Sequence, residues 1–187
     1  MTYPYSPPPY QTARYNVVAI VLHWTIALLV IVNWPIGFFG EALKDLFDLN
    51  VVRLHKSLGL TVLGLSLVRL VWRLSHRPPK PPPLSRFQLW FAHFTHGVLY
   101  LLLVAVPFSG WLRASGGTYP LKWFGIVDVP KFPILPHSSG SMLATEAHKL
   151  LAWFILVFAA AHVAAALYHH FYLRDGLLLR IMPWRPN

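Results

Sequence analysis

"AAAHVAAALYHHFYL", residues 159–173, has the apolar make-up of a membrane-crossing helix, yet it carries His162, His169 and His170. A side chain that can charge is costly in lipid and normally faces a protein interior or a working site. The stretch lies within a longer run, 150–173, of 24 residues without Asp, Glu, Lys or Arg. About 20 apolar residues are enough to cross a bilayer. The run therefore reads as a span, and the open question is what its histidines do.

Two further runs have the same character. Residues 17–39, "VVAIVLHWTIALLVIVNWPIGFF", give 23 uncharged positions, and 87–112, "FQLWFAHFTHGVLYLLLVAVPFSGWL", give 26. A fourth candidate, "VVRLHKSLGLTVLGLSLVRLVWRL", is uncharged only over 57–68, between Arg53 and Lys56 on one side and Arg69 and Arg73 on the other. Long basic side chains snorkel outward from span ends, so this segment still works as a crossing helix. Four spans are expected, at about 17–39, 53–74, 87–112 and 147–173, forming an all-α integral membrane bundle over residues 15–183. Residues 1–14, rich in Pro and Tyr and lacking the basic start of a secretory signal, read as a flexible tail that is retained. Residues 184–187 are a short C-terminal tail.

Composition supports this class. Of 187 residues 56% are hydrophobic and 12% charged, against about 25% charged in soluble domains. The chain has no cysteine, which excludes disulfides, covalent haem attachment and thiolate-bound iron–sulfur clusters. The net charge of +10 sits at the ends of apolar runs, a placement that suits headgroups and topology and not nucleic acid. The link "RPPKPPP", 77–83, cannot continue a helix. Arg73, Arg77, Lys80 and Arg86 concentrate around it, which places it in the cytoplasm together with both termini and Arg174, Arg180 and Arg185. The opposite side carries Lys44, Arg53, Lys56, Arg113, Lys122, Lys131 and Lys149, and the loop 113–144 is expected to fold over that outer face.

Eight of the ten histidines fall in spans or at their ends; His76 and His137 fall in loops. His148 and His162 are fourteen residues apart, almost four helical turns, so they share a face and lie about 21 Å apart along the axis. His148 begins the fourth span and His55 the second, both on the outer side; His23 is early in the first. Antiparallel connectivity therefore pairs His55 with His148 near the outer surface and His23 with His162 toward the cytoplasm. Two stacked pairs suit two b-type haems, each iron taking one imidazole per face. Zinc wants three or four ligands at one depth, and no Asp or Glu lies in the charge-free runs. A proton path through His96, His169 and His170 has no acidic partner in the sequence.

The stretches "YNVVAIVLHW", "VVRLHKSLGLTVLGLSLVRLVWRL", "FAHFTHGVLYLLLVAVPFSGWL" and "EAHKLLAWFILVFAAAHVAAALYHHFYLRDGLLLRIMP" together resemble the prokaryotic cytochrome b561 family of dihaem four-helix membrane proteins. The resemblance implies the same ligand set, His23, His55, His148 and His162. His93 and His96 match the family's H-x-x-H of the third helix, and His169 and His170 its double histidine. His96 and His169 are candidate quinone contacts, and Arg53, Lys56, Arg69 and Arg73 candidate propionate contacts. Trp24, Trp90, Trp111 and Trp153 read as interface anchors or core. A haem iron with two protein ligands points to electron transfer. The resemblance implies a bacterial inner-membrane oxidoreductase with two haems b and ubiquinone, exchanging electrons between the periplasmic side and the quinone pool. Within the family two activities compete. One is superoxide oxidation coupled to ubiquinone reduction, with Lys122 and Lys131 among the basic residues steering the anion. The other is an electron conduit for a hydrogenase- or dehydrogenase-type partner protein. A histidine-lined module without redox function is the third reading.

Overall fold

The computed structural model describes residues 14–40, 42–43, 51–80 and 84–184. The expectations for the tail before Arg14, for Lys44, for positions 81–83 of the proline link and for Arg185 lie outside the described residues.

Four helices run up and down: α1 Val17–Phe38, α2 Val51–Ser75, α3 Arg86–Ser115 and α4 Ser139–Tyr168. Each is long and apolar enough to cross a membrane. At 1.5 Å rise per residue, the 22 residues of α1 reach about 33 Å, the thickness of a bilayer core. Consecutive helices pack side by side, α1 on α2, α2 on α3 and α3 on α4. Side chains close the ring between α1 and α4. The Trp34 indole donates to the Ala152 carbonyl at 2.9 Å, and its ring meets Trp153 edge-on.

Local chemistry fixes the helix ends. Asn16 caps α1 by accepting from the Ala19 N–H, and Ser85 and Gln88 form a reciprocal capping box at the start of α3. Helix α4 begins at Ser139, capped by the Ser138 hydroxyl, well ahead of its apolar run. The polar stretch before His148 is thus helix that continues the span, since capping and helix propensity do not require apolarity. Helix α3 likewise runs on to Ser115, and Gly116 follows as its cap.

The connection from α3 to α4 carries a small hairpin, β1 Lys122–Trp123 paired antiparallel with β2 Val127–Asp128. Its turn uses Phe124 (φ +48°) and Gly125 (φ +78°). The hairpin docks on α2: the Phe124 N–H donates to the Ser57 hydroxyl at 2.9 Å, and the Trp123 indole donates to the Thr61 hydroxyl at 3.0 Å. At the other end of the bundle α4 widens into a π-turn, His169–Leu173, and the chain reverses through Arg174 and Gly176, both at positive φ. The strap that follows crosses the start of α1. Tyr15 N–H donates to the Arg180 carbonyl at 3.1 Å, the Trp24 indole to the Ile181 carbonyl at 2.8 Å, and the Arg14 guanidinium to the Met182 carbonyl. The bundle therefore has a terminal end and a hairpin end.

Arg180, grouped by sequence on one side with the α2–α3 link, is buried at 4% exposure, its guanidinium donating to the Lys80 carbonyl of that link at 2.7 Å. The reversal at Arg174 and Gly176 carries it inward, onto the α2–α3 link. Buried positions elsewhere are few and often small and polar, including Ser57, Ser66, Thr95 and Ser109. Large apolar side chains such as Leu28, Ile31, Val71 and Leu101 point outward. Lipid solvates them, so they need not be interior.

Candidate functional site

The helices bring histidines together at two depths. At the hairpin end His55 of α2 and His148 of α4 face each other, with ring centres 6.1 Å apart and planes at 71°. At the terminal end His23 of α1 and His162 of α4 lie 6.4 Å apart at 72°. The fourteen residues from His148 to His162 separate the two levels by about 21 Å.

Hydrogen bonding tells which ring nitrogen is free. His55 Nδ1 lies 3.2 Å from the Asn33 carbonyl, an atom that can only accept, so Nδ1 carries the proton and Nε2 is left with its lone pair. His148 Nδ1 meets the Val106 carbonyl at 3.0 Å and the Ser109 hydroxyl at 3.2 Å. That hydroxyl spends its own proton on the Val106 carbonyl at 2.7 Å and so accepts from the ring. Two imidazoles, each tethered through Nδ1 and leaving Nε2 to point away from the tether, have the arrangement of metal ligands whose ring plane is fixed by a hydrogen bond on the far nitrogen. An imidazole nitrogen binds first-row metals at about 2 Å; adding roughly 1.1 Å from nitrogen to ring centre on each side puts the ring centres about 6.2 Å apart. Both pairs fit an iron held between them. The terminal-end pair is less constrained, because His23 Nδ1 is buried with no hydrogen-bond partner.

Other expected residues are distributed around these pairs. His96 of α3 places its ring 5.3 Å from that of His162, on the terminal-end site. His93 turns away and bonds the Leu89 carbonyl of its own helix at 2.7 Å. His169 meets Asp175, Nδ1 to carboxylate at 2.5 Å. The absence of an acidic partner expected for the histidine path is thereby corrected at His169. Asp175 lies beyond the span, and the reversal at Arg174, which has positive φ, brings it back. His170 packs against Phe171. Arg69 stands over the Tyr100 ring at 5.4 Å, while Lys56 and Arg73 are half-buried on α2 and Arg53 lies beside the hairpin turn. Lys122 pairs with Asp128 at 3.5 Å, and the Lys131 ammonium is held by the Gly117 and Tyr119 carbonyls. Lys149 pairs with Glu146 at 2.8 Å. Among the described residues no cluster of three or more His, Asp or Glu has the geometry to hold a metal ion.

Sequence reasoning missed Asn33, Val106 and Ser109, which hold the hairpin-end rings. Two of these act through backbone carbonyls, which carry no residue signature, but Pro and Gly recur close behind both, in "NWPIG" and "VPFSG".

Known proteins match the sequence along nearly the whole chain. The sequence model of prokaryotic cytochrome b561 matches residues 14–184. Cytochrome b561 homolog 2 of Escherichia coli is 32% identical over 172 residues, covering 90% of this chain and 91% of the relative. Probable superoxide oxidase CybB of Yersinia pestis is 32% identical over 179 residues, covering 91% and 96%. Cytochrome b562 of Cereibacter sphaeroides is 33% identical over 181 residues, covering 92% and 97%. Four antiparallel membrane-length helices and a match of this extent lead to one conclusion: the chain belongs to the prokaryotic cytochrome b561 family, the haem b membrane proteins of bacterial electron transfer.

Proposed function

We propose that the chain binds two haems b, one between His55 and His148 and one between His23 and His162, and passes electrons from superoxide at the hairpin end to ubiquinone. The observation that carries the reading is the pair of opposed imidazoles at each of two depths, with spacings of 6.1 and 6.4 Å. A haem iron closed on both faces by protein ligands exchanges single electrons and leaves no open position for oxygen chemistry. We assign the hairpin end to the periplasm, because the basic link between α2 and α3 and the first and last described residues, Arg14 and Trp184, lie at the other end.

In balance, two superoxide anions each lose one electron and leave as dioxygen, and one ubiquinone takes both electrons and two protons to become the quinol. The chain's own residues do three things here. Asn33, Val106 and Ser109 hold the proton of each hairpin-end ring on Nδ1. Arg53, Lys56, Arg113 and Lys131 supply positive charge at that end, which raises the encounter rate of a small anion. His96 and His169 line the terminal end, and the carboxylate of Asp175 gives His169 a proton partner for quinone reduction. A relative that carries the name probable superoxide oxidase supports the choice of substrate.

The pairing of Lys122 with Asp128 and of Lys149 with Glu146 weakens the positive field and favours the second reading, a conduit for a partner redox protein. Two measurements test these readings. Reduced-minus-oxidised spectra of the wild type, His55→Ala and His162→Ala should show two low-spin components, each variant losing a different one. Rapid mixing of the purified protein with superoxide and ubiquinone should consume superoxide faster than spontaneous dismutation. Two pigments with no acceleration would leave the conduit reading, and a colourless protein would end both.

A further inference from the structure

The two hairpin-end histidines are seated by the same device, built twice on different helices. His55 bonds the carbonyl of Asn33 on α1, and His148 bonds the carbonyl of Val106 on α3. In a regular helix each carbonyl serves the N–H four residues on, and here that residue is Gly37 in one case and Gly110 in the other. Between carbonyl and glycine stands a proline, Pro35 or Pro107, within the helix. Proline removes one rung of the hydrogen-bond ladder and loosens the turn around it, which opens room for a carbonyl to accept from outside.

The glycines let the rings reach those carbonyls. A Cβ added at Gly37 would press into His55 Cε1 and stand 2.8 Å from its Nδ1. At Gly110 it would stand 3.0 Å from His148 Cε1 and 3.2 Å from Nδ1. The first is a clash, and the second forces the ring to give by a few tenths of an ångström. By contrast, a Cβ at Gly40, Gly64 or Gly97 meets nothing within 4 Å. The terminal-end pair has no such seat, since His23 Nδ1 lacks a partner.

We infer that Gly37 and Gly110 are positioning residues, each holding one hairpin-end imidazole against the carbonyl of a proline-loosened helix. The inference rests on the haem reading of His55 and His148. Its physical content is that the Nδ1–H···O=C bond makes the ligand more basic and fixes the ring plane. A side chain on either glycine lifts the ring from its carbonyl, weakens that bond and makes the hairpin-end iron easier to reduce.

The test uses the full-length, haem-loaded protein in detergent: wild type, Gly37→Ala, Gly110→Ala, and Gly40→Ala as control. The readouts are potentiometric titration and low-temperature electron paramagnetic resonance of the two low-spin signals. Gly110→Ala should shift the hairpin-end signal and favour its reduction by about tenfold, or about 59 mV for one electron. The other signal should stay in place. Gly37→Ala, with the tighter contact, should shift the same signal further or lose that pigment alone. Gly40→Ala should match the wild type. Glycine variants with both signals unchanged overturn the inference while the haem reading stands. So does loss of both pigments in Gly110→Ala as well as Gly37→Ala, because the glycines then serve folding only. A wild type that binds no haem overturns the haem reading and this inference with it.

Discussion

Replacing Ser57 by Ala should release the hairpin from α2. Ser57 is fully buried, and its hydroxyl donates to the Arg53 carbonyl at 2.9 Å while accepting from the Phe124 N–H at 2.9 Å. The base of the hairpin is anchored by the buried Leu121 and by the Trp111 bond to Pro130, but its tip has few other holds. Each strand has two residues, and an isolated two-stranded hairpin is marginal in water. The Lys122–Asp128 pair is largely exposed and worth about 0–1 kcal/mol. The Trp123 indole loses little if its bond to Thr61 breaks, because it is 40% exposed and can reach water or headgroups. The Phe124 N–H has no such escape while docked, and stranding it costs about 1–3 kcal/mol. At 1.4 kcal/mol per tenfold, the open population of the hairpin rises roughly 5- to 150-fold. Hydrogen exchange followed by mass spectrometry in detergent reads this directly. Amides of 121–129 should exchange faster by that factor, and those of α3 should not change. Exchange of the hairpin within about twofold of wild type would show that Ser57 is not what docks it.

Three further outcomes follow from the same geometry. Asp175→Ala removes both the Leu177 N–H acceptor and the His169 partner; the strap 174–184 should loosen by about 1–3 kcal/mol and become correspondingly more sensitive to limited proteolysis. Under the superoxide reading, Lys131→Gln should slow superoxide consumption about three- to tenfold at low salt, whereas Asp128→Asn, which frees the Lys122 charge, should speed it. Both effects should fade as salt rises, and a salt-independent difference would remove steering as their cause. Finally, the tethered hairpin-end ligands are the more basic pair, so the component lost in His55→Ala should be the one of lower potential; loss of the higher one would reverse the argument.

The helices and the depths of their histidines were legible because both depend on period and length. Fourteen residues place His148 and His162 on one face whatever surrounds them, and antiparallel order then assigns His55 and His23 to them. What escaped depends on chain reversal or on backbone atoms. Asp175 follows the span directly, yet it reaches back to His169 through a reversal in which Arg174 adopts positive φ. Asn33 and Val106 act as carbonyls, so their side chains announce no role. The docking of the hairpin was equally hidden, because Ser57 and Thr61 sit in a run that reads simply as a weakly apolar span.

Tryptophan supplies the remaining logic of the bundle. In lipid, apolar side chains gain little by leaving their surroundings, so helices need packing and polar bonds to hold their arrangement. Among the described residues five indole N–H groups bond distant parts of the chain. Trp34 reaches Ala152, Trp72 reaches Asn16, Trp24 reaches Ile181, Trp111 reaches Pro130 and Trp123 reaches Thr61. Three of the acceptors are backbone carbonyls on another segment, Ala152 within α4, Pro130 after the hairpin and Ile181 in the strap. These bonds lie at the seams and ends, not on the axis. They tie the helices to one another and to the connections without using the faces on which the opposed imidazoles stand. Under the haem reading, a bundle tied in this way at its seams and ends keeps the ligand spacing constant while apolar contacts such as those of Ile26, Leu102 and Ile155 pack between the two levels.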